Sequence, residues 1–240
     1  MEKTKLVQIC TLQALLLGYT KGVISIRDLL KFGDIGLGTF ENVDGEMIIV
    51  DGKCYKALSN GDVLIPDGKE TTPFACITQN RADKTFSIEN IHDIDQLKSL
   101  LNNKVDEVFG LNFMQIVRID GFFPLVDARS EDGYVSAHLE LKNILKQTQK
   151  DFCFKNIEGT LVCLYFPDYM DGINLPGWHF HFISKDRSKG GHVFRVECQK
   201  GDAILTKVSS LEIQLPESPA FDTYELKESS QEDAKSVEQK

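Results

Sequence analysis

Three turn-forming dipeptides constrain the fold of this chain more than any other feature of its sequence. Asp44-Gly45, Asp51-Gly52 and Asn60-Gly61 separate short runs that are rich in Phe, Ile, Val and Tyr. Such dipeptides favour the tight turns of β-hairpins, because Asn, Asp and Gly tolerate the left-handed backbone conformation that these turns require. Residues 38–65 are therefore predicted to form an antiparallel meander.

Short helices and further strands are predicted around this meander. Ser25 and Asp28 have the spacing of a capping box, which indicates a short helix over residues 26–32. Apolar residues recur at helical spacing in residues 94–101 and 139–148. Apolar runs predict strands over residues 73–78, 159–166, 178–184 and 192–198.

Two other segments also carry recognisable patterns. Residues 6–17 form an apolar run with polar interruptions, which predicts a buried amphipathic helix. Asp120-Gly121 divides residues 112–119 from residues 122–128, which predicts another hairpin.

The predicted fold class is α+β, with predominantly antiparallel β-sheets in two packed subdomains and a few short helices. Residues 1–150 are predicted to form an N-terminal mixed α/β sheet subdomain, and residues 151–226 a C-terminal β subdomain with a hairpin that carries three histidines. Residues 227–240 form an acidic tail.

Charge and composition exclude several classes of function. The net charge of −9 argues against a protein that binds the nucleic-acid backbone or an anionic membrane, since both partners are negatively charged. No apolar run is long enough to span a membrane, and no glycine-rich nucleotide-binding motif occurs. Six scattered cysteines without a C-x-x-C pair indicate reduced structural thiols and a cytoplasmic location.

Three of the five histidines, His179, His181 and His192, fall within fourteen residues. Alternate residues of a strand share a face, so His179 and His181 project together, whereas Trp178 and Phe180 project into apolar packing on the other face. The polar turn that follows is predicted to fold the chain back, so that His192 meets the pair across the hairpin.

Three neutral imidazoles without a cysteine indicate a catalytic rather than a structural zinc site. A structural site closes with four protein ligands, whereas a catalytic site keeps one position open for water or substrate. The alternative is a pair of histidines on a polar sheet face that binds no metal. His92 and His138 stand among charged neighbours beside predicted helices and are interpreted as surface residues.

A series of ordered motifs resembles the α-acetolactate decarboxylase family. The resemblance spans the chain from about Gly18 to the C-terminus. The motifs that carry it are Gly38-Thr39-Phe40, Asp44-Gly45-Glu46-Met47-Ile48, Asp51-Gly52, Thr72-Pro73-Phe74-Ala75, Arg118-Ile119-Asp120-Gly121, Phe123, Arg129-Ser130, Gly159-Thr160, Gly172-Ile173, Gly177-Trp178-His179-Phe180-His181-Phe182-Ile183, Asp186-Arg187 and Gly190-Gly191-His192-Val193.

This resemblance implies a cytoplasmic, homodimeric enzyme of the acetoin and butanediol branch. The enzyme would convert the small 2-hydroxy-3-keto acid 2-acetolactate to acetoin and CO2 through a zinc-stabilised enediolate, without thiamine or pyridoxal. The resemblance also assigns the site residues: His179, His181 and His192 as zinc ligands, Glu46, Arg129 and Glu238 as catalytic residues, and Thr39 with Arg129 as substrate-binding residues. Glu238 would reach the metal from a tail that closes over the site.

One segment departs from the family pattern, and other functions stay open. Residues 130–134 are acidic and contain no proline, where the family carries a basic, proline-containing stretch.

A cupin-like metal oxygenase also presents His-x-His on a strand, but it places a glutamate a few residues after the pair, where this chain has Ser184, Lys185 and Asp186. A metal-binding module without enzymatic activity is the third possibility.

Overall fold

The computed structural model of the chain describes residues 3–135, 139–224 and 226. The strands are β1 Lys5–Ile9, β2 Ile24–Ser25, β3 Ile35–Thr39, β4 Glu46–Val50, β5 Lys53–Ala57, β6 Val63–Leu64, β7 Thr71–Thr72, β8 Ala75–Thr78, β9 Lys84–Ile91, β10 Met114–Glu131, β11 Gln149–Phe166, β12 Gly177–Ser184, β13 Gly190–Val208 and β14 Ser210–Gln214. The α-helices are α1 Leu12–Leu16, α2 Ile26–Leu29, α3 Ile94–Val108, α4 Leu141–Thr148 and α5 Pro219–Asp222.

Two large sheets organise these elements. Sheet 1 has seven strands in the order β14-β1-β8-β3-β4-β5-β6, and all its pairs are antiparallel except β1 with β14. Sheet 2 has five strands in the order β10-β11-β12-β13-β9, and β10 also pairs with β13. Since β10, β11, β12 and β13 each pair with the next and β13 returns to β10, sheet 2 closes on itself. The α+β class with predominantly antiparallel sheets is confirmed.

The two sheets pack face to face around a shared apolar core. Leu37 and Ile48 of sheet 1 and Ile116 and Ile183 of sheet 2 belong to one buried cluster. Helix α2 covers the outer face of sheet 1, and helix α3 covers the outer face of sheet 2. The molecule therefore has a helix–sheet–sheet–helix order, and side chains on the inner faces of both sheets meet between them.

Most of the predicted elements are confirmed. Strands β3 to β6 form the antiparallel meander predicted for residues 38–65. The hydroxyl of Ser25 accepts a hydrogen bond from the backbone N–H of Asp28 and caps helix α2, as the capping-box spacing predicts.

The helix predicted over residues 6–17 is wrong for its first half. Residues Lys5–Ile9 form strand β1, which lies between β14 and β8 and forms hydrogen bonds with both. Cys10 then takes a left-handed backbone conformation with φ of 57°, and Thr11 caps the short helix α1. Pairing on both edges outweighs the weak helical periodicity of this segment.

The hairpin predicted at Asp120-Gly121 is also wrong. Strand β10 runs without a turn from Met114 to Glu131, because Gly121 pairs with Gly159 of β11 on one side and Gly201 of β13 on the other. A Cβ atom at position 121 would lie 2.5 Å from the carbonyl oxygen of Lys200. The glycine here allows close approach of two strands rather than a reversal of the chain.

The cysteines are all free, and only Cys153 among them is exposed. None of the helices in the described part of the chain combines the length and the apolar character needed to cross a lipid bilayer. The subdomain boundary near residue 150 stays a prediction; the β10–β11 pairing joins residues on both sides of it.

Candidate metal centre

Strand β12 directs two histidines toward sheet 1. Trp178, Phe180 and Phe182 point into the apolar cluster under helix α3, as the alternation of the sequence predicts. His179 and His181 therefore face the space between the two sheets.

Strand β13 brings the third histidine beside this pair. His192 lies directly opposite His181 in the β12–β13 ladder. Gly190 and Gly191 precede it, and a Cβ atom at position 191 would lie 2.9 Å from both the carbonyl oxygen of Arg129 and the ring of Phe152. The two glycines thus let β13 lie close enough to its neighbours to present His192 to the site.

The three imidazoles form a compact triangle of nitrogen atoms. Nε2 of His179 lies 3.0 Å from Nδ1 of His192 and 3.2 Å from Nε2 of His181. Ligands of a tetrahedral zinc ion at the usual Zn–N distance would be about 3.3 Å apart. All three side chains are buried, and this group can bind a metal ion.

A backbone carbonyl fixes the orientation and tautomer of His181. Nδ1 of this ring lies 2.8 Å from the carbonyl oxygen of Met47 on β4. A carbonyl only accepts hydrogen bonds, so Nδ1 carries the hydrogen and donates it, and Nε2 presents its lone pair to the triangle. Metal-binding histidines usually have such a partner on their second nitrogen.

Burial keeps His179 and His181 neutral. It lowers the pKa of His179 to about 3, with a further contribution from the positive charge of Arg129. Burial also lowers the pKa of His181 well below its ordinary value, helped by His179 and Arg129 and opposed by the hydrogen bond to Met47. Neutral imidazole is the form that binds metal, so these two ligands need no deprotonation step near neutral pH.

This arrangement predicts that the metal-free protein loses stability in mild acid. In the unfolded chain the two histidines titrate near pH 6.5, whereas in the folded chain they stay neutral to far lower pH. Below pH 6.5 the unfolded state therefore binds more protons, and the free energy of unfolding decreases as the pH falls. We expect a loss of roughly 2 kcal/mol for each histidine between pH 7 and pH 5.

Urea unfolding with a chelator present measures this effect. The matched control is the double variant His179→Gln/His181→Gln, in which the carboxylates still titrate but these two imidazoles are absent. The wild type should lose more stability than the double variant over this pH range. Equal slopes for the two proteins would contradict the assignment of buried neutral imidazoles.

Glu46 reaches the same nitrogen triangle from sheet 1. It is the first residue of β4, directly after the Asp44-Gly45 turn. Its Oε2 lies 3.4 Å from Nε2 of His181, and its Oε1 lies 3.8 Å from Nδ1 of His192. The carboxylate therefore faces the two nitrogens that the hairpin presents, and its side chain is only 13% exposed.

A β-bulge brings Arg129 to the edge of the triangle. The register of β10 with β13 shifts between Asp127 and Ala128, which places Arg129 opposite His192. Bulges redirect the side chains that follow them. The guanidinium is buried, and its Nη2 lies 3.3 Å from Nε2 of His192.

Thr39 lies beside Glu46 and lines the site. Its hydroxyl donates a hydrogen bond of 2.9 Å to the carbonyl oxygen of Gly45, and Thr39 pairs with Glu46 in the β3–β4 ladder. This hydroxyl therefore holds the turn that leads into Glu46.

A cavity of about 450 Å³, which includes its open mouth, lies in front of these groups. One wall is apolar and includes Leu141 and Leu145 of helix α4. The full lining is Leu15, Gly38, Thr39, Val43, Glu46, Phe74, Arg129, Glu131, Leu141, Leu145, Gln149, His179 and His192. The cavity can therefore hold a small molecule with a polar end at the histidines and an apolar end at α4.

The structure brings together six of the seven predicted site residues: Thr39, Glu46, Arg129, His179, His181 and His192. The seventh, Glu238, and also His138 lie outside the described residues, and their roles stay predictions. His92 is exposed, as predicted.

Several contributors to the site carry no signal in the sequence. The carbonyl of Met47 and the side chains of Glu131 and Gln149 are examples. Glu131 belongs to the acidic segment that departs from the family pattern, and its buried side chain follows Arg129 on the same face of β10.

Comparisons with known proteins agree with this site. The family model for alpha-acetolactate decarboxylase matches residues 6–228. The alpha-acetolactate decarboxylase of Methanosarcina mazei is 40% identical over 233 residues, which cover 97% of this chain and 80% of that protein. The enzyme of the same name from Brevibacillus brevis is 33% identical over 219 residues, covering 91% of this chain and 75% of that protein.

The fold agrees as well. The crystal structure of alpha-acetolactate decarboxylase from Bacillus subtilis strain 168 superposes with a TM-score of 0.93 at 28% identity, covering 98% of this chain and all of that one. On the family match and the sequence identities, the chain belongs to the alpha-acetolactate decarboxylase family.

Proposed function

We propose that this protein decarboxylates 2-acetolactate to acetoin and CO2 in the acetoin and butanediol branch. The observation that carries the proposal is the buried triangle of His179, His181 and His192, which opens into a cavity next to Glu46 and Arg129. Membership of the family supports the same reaction. 2-Acetolactate is a small anion with a ketone and a hydroxyl group on neighbouring carbons, so it matches a site with metal-binding nitrogens and a fixed cation.

We propose Zn²⁺ as the metal. His179, His181 and His192 would hold this ion, since their nitrogen atoms have near-tetrahedral spacing and no cysteine is among them. A divalent cation held there would supply Lewis-acid polarisation of the substrate's oxygen atoms.

Arg129 orients the substrate in this mechanism. Its guanidinium binds the carboxylate that leaves as CO2, and the planar fork fixes the direction of the bond that breaks. As the bond between the carboxylate carbon and C2 breaks, its electron pair moves to the neighbouring carbonyl oxygen and gives an enolate. The buried position of Arg129 keeps its charge effective, because little water screens it.

Glu46 completes the reaction by donating a proton to the substrate. The enolate becomes acetoin when C2 receives a proton, and the carboxyl group of Glu46 is placed at the histidine triangle to deliver it. Delivery from one fixed side chain would set the configuration of the new stereocentre. Thr39 holds the preceding turn and contributes its surface to the substrate cavity.

Direct assay with metal analysis tests the proposal. We expect the purified protein to release CO2 and acetoin from 2-acetolactate in equal amounts and to contain about one zinc per chain. Protein that holds zinc but forms no acetoin would support the non-enzymatic metal-binding alternative. Activity that requires iron and consumes O2 would support the oxygenase alternative.

The homodimer and the cytoplasmic location implied by the resemblance stay predictions. Light scattering of the purified protein tests the oligomeric state.

A further inference from the structure

The side chain of Ser130 links the two sheets at the site. Ser130 follows Arg129 on β10 of sheet 2, and it is fully buried. Its Oγ accepts a hydrogen bond of 3.2 Å from the backbone N–H of Glu46 and donates one of 2.8 Å to the carbonyl oxygen of Ala57. Glu46 and Ala57 belong to sheet 1, so a single hydroxyl joins both sheets.

The two partners of this hydroxyl are facing residues of one ladder. Glu46 begins β4, Ala57 ends β5, and the two pair with each other in the β4–β5 register. The Ser130 hydroxyl therefore forms hydrogen bonds with a backbone N–H and a backbone carbonyl at the end of this ladder. Such buried backbone groups are costly to leave without a partner, so the position of the hydroxyl is strongly determined.

The hydrogen bond of Ser130 links the backbone of Glu46 to the strand that carries Arg129. The backbone of Glu46 is held from sheet 2 by the residue adjacent to Arg129, whereas the turn before Glu46 is held from within sheet 1 by the hydroxyl of Thr39. Arg129 lines the cavity, and the next residue, Ser130, forms hydrogen bonds with the backbone of sheet 1.

We propose that Ser130 is a positioning residue that sets the distance between the carboxyl group of Glu46 and the guanidinium of Arg129. It acts through the backbone of Glu46 and does not contact substrate. In the proposed function these two groups act on opposite ends of the breaking bond, so the inference rests on that function for its effect on turnover. Its effect on the geometry of the metal site is independent of the reaction.

The variant Ser130→Ala removes both hydrogen bonds with the smallest change of shape. We expect kcat to decrease about 10-fold, since misplacement of a catalytic group by a fraction of an ångström has effects of this order. KM should change less than about 3-fold, because Arg129 keeps its own strand position. The visible absorption spectrum of the Co²⁺-loaded variant should also differ from that of the Co²⁺-loaded wild type, because the carboxyl group of Glu46 moves relative to the nitrogens.

The matched control is Thr206→Val, which removes another fully buried hydroxyl of sheet 2. Thr206 lies on β13, fourteen residues from His192. Its hydroxyl accepts a hydrogen bond from the backbone N–H of Arg81 and donates one to Oδ1 of Asn80. This variant should keep the wild-type kcat and Co²⁺ spectrum, even if its melting temperature falls as much as that of Ser130→Ala. If Ser130→Ala does not fold, Ser130→Cys carries the same comparison with a weaker hydrogen-bonding group.

The outcomes separate the two ideas. A Ser130 variant with the wild-type kcat and Co²⁺ spectrum would overturn the positioning role, and so would equal losses in the Thr206 control. If the wild type forms no acetoin, the proposed function fails, but the Co²⁺ spectra of the wild type and the two variants still test whether Ser130 positions Glu46.

Discussion

Replacing His181 with alanine is expected to abolish both metal binding and acetoin formation. This side chain is fully buried, and its ring is fixed by the carbonyl of Met47. The variant leaves two imidazoles and an enlarged pocket, which cannot hold a divalent ion with the same affinity. Because loss of one preorganised electrostatic partner already costs about 10² to 10³ in rate, loss of the ion should reduce kcat/KM at least about 10³-fold.

The measurement combines zinc analysis with an acetoin assay. His92→Ala is the matched control, since it removes an exposed imidazole and should leave zinc content and activity unchanged. Circular dichroism should show that the variant keeps its sheets, because the apolar core between them does not include the three histidines. The same reasoning predicts that a chelator removes activity from the wild type without unfolding it. A His181→Ala protein that retains zinc and turnover would show that the triangle is not the catalytic centre.

The histidine triangle could be predicted from the sequence because its geometry is local. The spacing of His179 and His181 places both on one face of a strand, and one turn returns His192 to the same place. The Ser25 cap and the meander after residue 35 are local in the same sense, since each depends on residues a few positions apart.

The remaining features depend on long-range pairing that the sequence does not reveal. Asp120-Gly121 has the composition of a turn, but strands on both sides hold it extended. Residues 5–9 carry a helix-like pattern, but two neighbouring strands pair with them. The contact of Glu46 with the histidines follows from the family motifs and not from spacing, because it depends on how sheet 1 packs on sheet 2. Arg129-Ser130 is one of the family motifs, but the motif does not indicate that Ser130 bridges the two sheets, since nothing local distinguishes a bridging serine from any other.

Replacing Arg129 with glutamine is expected to reduce kcat/KM by about 10² to 10³ while the metal stays bound. The guanidinium is the fixed cation at the cavity, and the substrate carries one carboxylate. Glutamine keeps much of the length of arginine but has neither the charge nor the fork, so the carboxylate loses a charge-assisted, two-point contact. Arg129→Lys keeps the charge as a single point and should fall between glutamine and the wild type.

Measuring the zinc affinity of Arg129→Gln distinguishes a loss of substrate binding from damage to the metal centre. The charge of Arg129 contributes to the low pKa of His179 and His181, and the same positive charge repels a divalent cation. Removing the charge of Arg129 should therefore leave zinc affinity at pH 7 equal to or higher than that of the wild type, even though turnover decreases strongly. The control is Arg195→Gln. Arg195 lies on β13, three residues after His192, and its side chain is 59% exposed, so this variant should change neither zinc affinity nor turnover. If Arg129→Gln lost zinc in proportion to activity, Arg129 would be a structural support of the triangle rather than the group that binds the substrate carboxylate.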